Sequence, residues 1–144
     1  LCKDFFVDPF QVHLSKSYGA DAILIIIAGL NDNLADKLYE EALNLNMSVI
    51  VEVHTVDEAK KALRFSEALI GINNRNLKTL KTEISTTYEI NNVLVNHPCP
   101  LISESGIKTK DELLEINKKT NIKTFLIGES LLKNLEKSSI FSVL

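Results

Sequence analysis

An α/β fold, in which buried parallel strands alternate with helices, is predicted by two features of this 144-residue chain. Continuous apolar runs recur along it, at residues 1–2, 22–28, 49–53, 68–72, 101–102 and 125–127, each closed by polar residues or glycine. Helical sequence fills the gaps between them. A strand covered by helices on both faces reads as an unbroken Val/Ile/Leu run, so the repeating unit is β-α. In parallel sheets and barrels of this kind the carboxyl ends of all strands open onto one face, where ligands bind. Lys3, Glu52, Asn73 and Glu104 stand at run ends and are expected to converge there.

Each element has its own local justification. The first run, Leu1-Cys2, stops at Lys3. Asp8-Pro9 then puts a proline where a helix begins, and Ser17-Tyr18-Gly19 ends it, because glycine accepts the left-handed conformation of a helix terminus. After the second run, Asn31 or Asp32 starts a helix whose stripe Leu34, Leu38, Ala42 and Leu45 keeps the spacing of a sheet-facing surface. Thr55 and Glu58 read as a capping box opening the next helix, which carries Ala59, Ala62 and Leu63. The connection at residues 73–82 is the longest non-helical one, and such loops in β-α proteins usually have a functional reason. Thr109 and Glu112 repeat the capping box before Leu113, Leu114 and Ile116.

Composition bounds the function. The chain is 45% hydrophobic and 24% charged with net charge −3, one soluble domain's worth of sequence. A closed (β/α)₈ barrel takes about 250 residues, or about 200 when lean. Only about six β-α units fit, and residues 1–144 read as an incomplete barrel domain with two leading units expected before Leu1. The first and last strands would then be open edges, which invite association between chains. Slight acidity gives no electrostatic footprint for nucleic acid. The longest apolar stretch, residues 22–30, falls far short of the roughly 20 needed to span a bilayer. Cys2 and Cys99 have no metal-ligand spacing and read as free thiols of a reducing compartment, and the cytoplasm is the expected location.

The run ends carry chemistry. Glu52 in an all-apolar run would be desolvated, which raises a carboxyl's pKa and suits a general acid or base; the alternative is a glutamate neutralised by a structural lysine. Burial would move Lys3 the other way, toward neutrality, unless it is simply solvated. The chain has two arginines against fourteen lysines, so Arg75 after Asn73-Asn74 suggests a fork for a carboxylate or phosphate, or one that ties the loop to a neighbouring carboxylate. Ser103-Glu104-Ser105-Gly106 and Gly128-Glu129-Ser130 close the last two runs, where barrel enzymes often hold a phosphate on glycine N–H groups, although each is also a common turn.

Leu1-Cys2-Lys3-Asp4-Phe5, Asp8-Pro9, Gly19-Ala20-Asp21-Ala22, Val51-Glu52-Val53-His54, Gly71-Ile72-Asn73-Asn74-Arg75-Asn76-Leu77, Ser103-Glu104-Ser105-Gly106-Ile107 and Gly128-Glu129-Ser130-Leu131 together resemble, in order, the motifs of indole-3-glycerol phosphate synthase. The resemblance implies a TIM barrel, here its third to eighth β-α units. It implies a carboxy-lyase of tryptophan biosynthesis that makes indole-3-glycerol phosphate from 1-(2-carboxyphenylamino)-1-deoxyribulose 5-phosphate, with no metal and no organic cofactor. It assigns catalytic positions to Lys3 as general acid, Glu52 as proton acceptor or electrostatic partner, Asn73 and Glu104. It assigns substrate contacts to Phe5, Arg75, Ser105, Gly106, Gly128 and Glu129. Glu129 stands where some relatives have serine, so its charge near a phosphate must point away or be offset. The expected partners are the phosphorylated substrate, an N-terminal segment with the first strand's lysine and glutamate, or another tryptophan-pathway domain. A non-catalytic phosphate-binding remnant is the alternative. The related phosphoribosylanthranilate isomerase fits less well, because neither cysteine is suitably placed.

Overall fold

A computed structural model describes residues 1–133. Five strands form one parallel sheet in sequence order: β1 (Ala22–Ile26), β2 (Ser48–Val53), β3 (Leu69–Asn73), β4 (Leu101–Glu104) and β5 (Thr124–Leu126). Among the described residues the helices are α1 (Phe10–Ser17), α2 (Asp32–Asn44), α3 (Val56–Ala62), α4 (Ser85–Leu94), α5 (Lys110–Lys119) and α6 (Glu129–Lys133). Of the six runs, Leu1-Cys2 makes no full strand. It contributes one parallel bridge, Cys2 to Ile23, in which the Cys2 N–H donates to the Ala22 carbonyl at 2.8 Å. That bridge is enough to bring Lys3 alongside the sheet.

The sheet is apolar on both faces, as unbroken runs require. Ile23, Ile25, Val49, Val51, Val53, Ile70 and Ile72 pack with Leu38, Ala42, Ala59, Ala62, Ile90, Leu94 and Ile116 from the helices. Side chains alternate along a strand, so the opposite face carries the next set: Leu24, Ile26, Ile50 and Ile102, with Leu69 and Leu126 against them. The same alternation puts Glu52, Gly71, Asn73 and Glu104 on that second face at the strand ends. Register staggers them by one step: Glu52 pairs with Gly71, and Asn73, two residues further along β3, pairs with Glu104.

Local signals set the helix starts. The Asn31 side chain accepts the Leu34 N–H at 2.9 Å, and Thr109 with Glu112 forms the full reciprocal box. At α3 the box is only half made. Thr55 accepts the Glu58 N–H, but the Glu58 carboxylate reaches past the cap to the His54 N–H at 2.8 Å. Leu63, expected on this helix, lies just beyond the end of α3 and is exposed.

The connection from β3 to α4 is pinned by buried Asn74. Its Nδ2 donates to Ser103 Oγ at 3.2 Å and the Ser105 carbonyl at 3.1 Å, and its Oδ1 accepts from the Thr87 N–H at 3.1 Å and Thr87 Oγ1 at 2.8 Å. Its backbone N–H donates to the Glu104 carbonyl at 2.9 Å. One side chain thus ties two strand ends to a helix. Asn74→Ala leaves these buried partners unsatisfied and should cost on the order of 2 to 4 kcal/mol, read from the urea midpoint; a loss below about 0.5 kcal/mol would contradict this account.

Candidate active site

Three charged side chains from three segments meet at the strand ends. Lys3 Nζ lies 2.9 Å from Glu52 Oε2, at the end of β2, and 3.4 Å from Glu104 Oε2, at the end of β4. Both glutamates are 1% exposed, whereas the lysine side chain is 40% exposed. Asn73, on the intervening strand, donates from Nδ2 to Glu52 Oε1 at 2.9 Å and accepts the Arg75 N–H on its Oδ1 at 2.9 Å. The four residues expected to be catalytic therefore form one cluster. Gly71 makes room for it: a Cβ there would collide with the Glu104 carboxylate, which lies across that point of β3.

The two glutamates differ in protonation. Burial opposes ionisation of Glu52, but His54, Asn73 and Lys3 outweigh it and hold the carboxyl down at about 2. The raised pKa expected for Glu52 is thereby corrected, because its hydrogen-bond partners decide the matter. Glu104 carries the raised value instead. Burial, then the negative Glu52 beside it, pushes Glu104 up to about 7, and neither of its oxygens accepts a well-formed hydrogen bond. Lys3 also departs from expectation: burial pulls its pKa down, yet the Glu52 hydrogen bond and the Glu104 charge raise it overall, so it stays an ammonium ion.

A residue that sequence reading quoted only within a motif, His54, belongs to this cluster. Its Nε2 lies 3.1 Å from Glu52 Oε1, off the line of a good hydrogen bond, so the contact is ionic. Its Nδ1 lies 3.3 Å from Glu58 Oε2. Burial opposes protonation of His54, but Glu52 and Glu58 raise its pKa to about 9. A histidine following a strand-end glutamate and preceding a first-turn glutamate was the available signal.

Arg75, Ser105, Gly106, Gly128 and Glu129 line a second cavity of about 630 Å³, next to the cluster along the sheet. Ser105 and Gly106 both take left-handed backbone angles, with φ of 63° and 78°, and a Cβ on Gly106 would press on Thr82. Gly128 is exposed to open space. The Glu129 charge is offset, since its Oε2 accepts from the Arg75 guanidinium at 2.6 Å, and Arg75 does tie its loop to a carboxylate. Phe5 is 66% exposed, with its carbonyl accepting from Gln11 Nε2.

A carboxyl raised by folding weakens the fold as pH climbs. The Glu104 pKa goes from an ordinary 4.5 to about 7, so the neutral form stabilises the chain below 4.5 and that stability drains away as pH rises through 7. Glu104→Gln does not titrate. It should gain on the wild type by on the order of 2 to 3 kcal/mol between pH 4 and pH 8 in urea titrations, and a pH-independent difference would contradict the assignment.

Among the described residues no helix is long and apolar enough to cross a membrane. The indole-3-glycerol phosphate synthase family model matches residues 1–142. Over 138 residues the chain is 45% identical to the "Tryptophan biosynthesis protein TrpCF" of Buchnera aphidicola subsp. Acyrthosiphon pisum, covering 94% of this chain and 30% of that protein. It is 42% identical over 133 residues to the indole-3-glycerol phosphate synthase of Zymomonas mobilis subsp. pomaceae, with 92% and 50% covered, and 38% identical over 141 residues to that of Bacillus mycoides, with 98% and 55% covered. The chain thus spans about half, or less, of the length of these curated relatives. The family is a TIM barrel, and the five-stranded parallel sheet with its polar strand ends agrees with it: the chain belongs to the indole-3-glycerol phosphate synthase family.

Proposed function

We propose that this chain supplies the later strands of an indole-3-glycerol phosphate synthase, converting 1-(2-carboxyphenylamino)-1-deoxyribulose 5-phosphate to indole-3-glycerol phosphate with release of carbon dioxide and water. The observation that carries the reading is the Lys3 ammonium held at the strand ends 2.9 Å from the buried Glu52 and 3.4 Å from the buried Glu104. Residues 1–144 are one incomplete barrel domain, in which the Cys2 bridge and β1 to β5 stand for the third to eighth strands.

The roles follow from charge and reach. Ring closure joins the carboxylate-bearing aromatic carbon to the ketone carbon and puts negative charge on the ketone oxygen. Lys3 donates a proton to that oxygen, which is more basic than an amine as charge develops. Carbon dioxide leaves from the same aromatic carbon, its bonding electrons restoring the ring. The new hydroxyl then departs as water, which needs an acid on the oxygen and a base for the departing hydrogen. Glu104, with a pKa of about 7, can give and take a proton at neutral pH, whereas Glu52 stays charged and keeps Lys3 protonated and aimed. Asn73 and Arg75 orient the substrate. Ser105, Gly106, Gly128 and Glu129 border the cavity that this reading gives to its phosphate, and the exposed ring of Phe5 is assigned to the anthranilate. No cofactor or metal enters these steps.

The partners in this reading are the phosphorylated substrate, a preceding N-terminal segment of the same barrel and, as the length of the Buchnera protein suggests, another tryptophan-pathway domain. The work is cytoplasmic. Indole-product fluorescence is the test, on the chain alone and co-expressed with an N-terminal segment from the family. Turnover is expected in at least one preparation, and Lys3→Met should lower it at least about 100-fold. No turnover in either preparation would favour a phosphate-binding remnant, and an active Lys3→Met variant would remove Lys3 from the acid role.

A further inference from the structure

Glu58 does two things with one oxygen. Its Oε2 accepts the His54 backbone N–H at 2.8 Å and lies 3.3 Å from His54 Nδ1, so residue 54 is held by both its backbone and its ring. The other ring nitrogen, Nε2, is thereby turned to Glu52 Oε1 at 3.1 Å, and the imidazole is almost fully buried, with its side chain 8% exposed. Each ring nitrogen faces a carboxylate oxygen, an arrangement that suits the doubly protonated ring. Glu52 Oε1 also receives Asn73 Nδ2 at 2.9 Å, which leaves Oε2 to Lys3. The Glu58 carboxylate could have closed its capping box on the Thr55 N–H; it instead reaches to His54.

We infer that His54, clamped by Glu58, is a positioning residue of the same site, which fixes the Glu52 carboxylate so that its free oxygen stays on Lys3. This rests on the synthase reading of that site. The charged groups around the imidazole are Glu52 from β2 and Glu58 from α3, while Lys78, Lys81 and Glu83 of the β3–α4 connection line the same cavity of about 360 Å³. The His54 pKa of about 9 accords with an imidazolium at neutral pH. Its stabilising contribution is complete below pH 6.5 and is lost as pH rises through 9.

Two measurements test the inference separately from the reaction. In the 144-residue chain, nitrogen-15 NMR of the three histidines should show His54 protonated on both ring nitrogens at pH 7, and Glu58→Gln should lower its pKa. In whichever preparation turns over substrate, His54→Gln should lower kcat about ten-fold with KM nearly unchanged and move the acidic limb of the pH–rate profile to higher pH. A merely structural histidine would reduce the folded fraction without moving that limb. A neutral His54 at pH 7, or an active His54→Gln variant with unaltered kcat and limb, overturns the inference and leaves the synthase reading intact. If no preparation turns over, the synthase reading fails, and the titration alone decides whether the clamp exists.

Discussion

One ammonium ion serves two buried carboxyl groups, and it serves them unequally. Lys3 sits 2.9 Å from Glu52 and 3.4 Å from Glu104, and Glu52 has two further partners in Asn73 and His54. Two carboxylates this close to one cation cannot both ionise cheaply in a water-poor site. The better-supplied one keeps the charge and the other holds its proton up to about pH 7. That split gives the cluster a fixed anion, a cation and a group able to exchange protons at neutral pH, which is what a sequence of acid-assisted and base-assisted steps requires.

The scaffold exists to make this meeting possible. Lys3, Glu52 and Glu104 are far apart in sequence, and they come together because parallel strands end on one face, with Glu52 and Glu104 one step apart in register. Gly71 removes the side chain that would otherwise block Glu104, and the Asn74 network fixes the β3 and β4 ends against α4. The apolar residues below the cluster, Leu24, Ile26, Ile50 and Ile102, keep the local dielectric low, so each charge acts strongly on its neighbours.

The strands and helix starts were legible because their signals are local: unbroken Val/Ile runs for β1 to β4, Asn31 and Thr109 for α2 and α5. Leu1-Cys2 was read as a full run but yields a single bridge, since two residues cannot form a ladder. Convergence of Lys3, Glu52, Asn73 and Glu104 was also legible, because topology alone demands it. Their protonation was not. Desolvation can be guessed from an apolar run, but the partners that oppose it come from other segments, and so the raised pKa expected for Glu52 falls on Glu104 instead. His54 and Asn74 were overlooked as parts of the site for the same reason, their roles being defined by residues on neighbouring elements.

The uneven split of charge is tested most directly by carbon-13 NMR titration of the glutamate side-chain carboxyls, with Glu52→Gln and Glu104→Gln used to assign the two signals. The account predicts that the Glu52 signal stays that of an ionised carboxylate down to about pH 2 while the Glu104 signal changes near pH 7. Two carboxyls titrating together near 4.5, or Glu52 titrating at the higher pH, would contradict it.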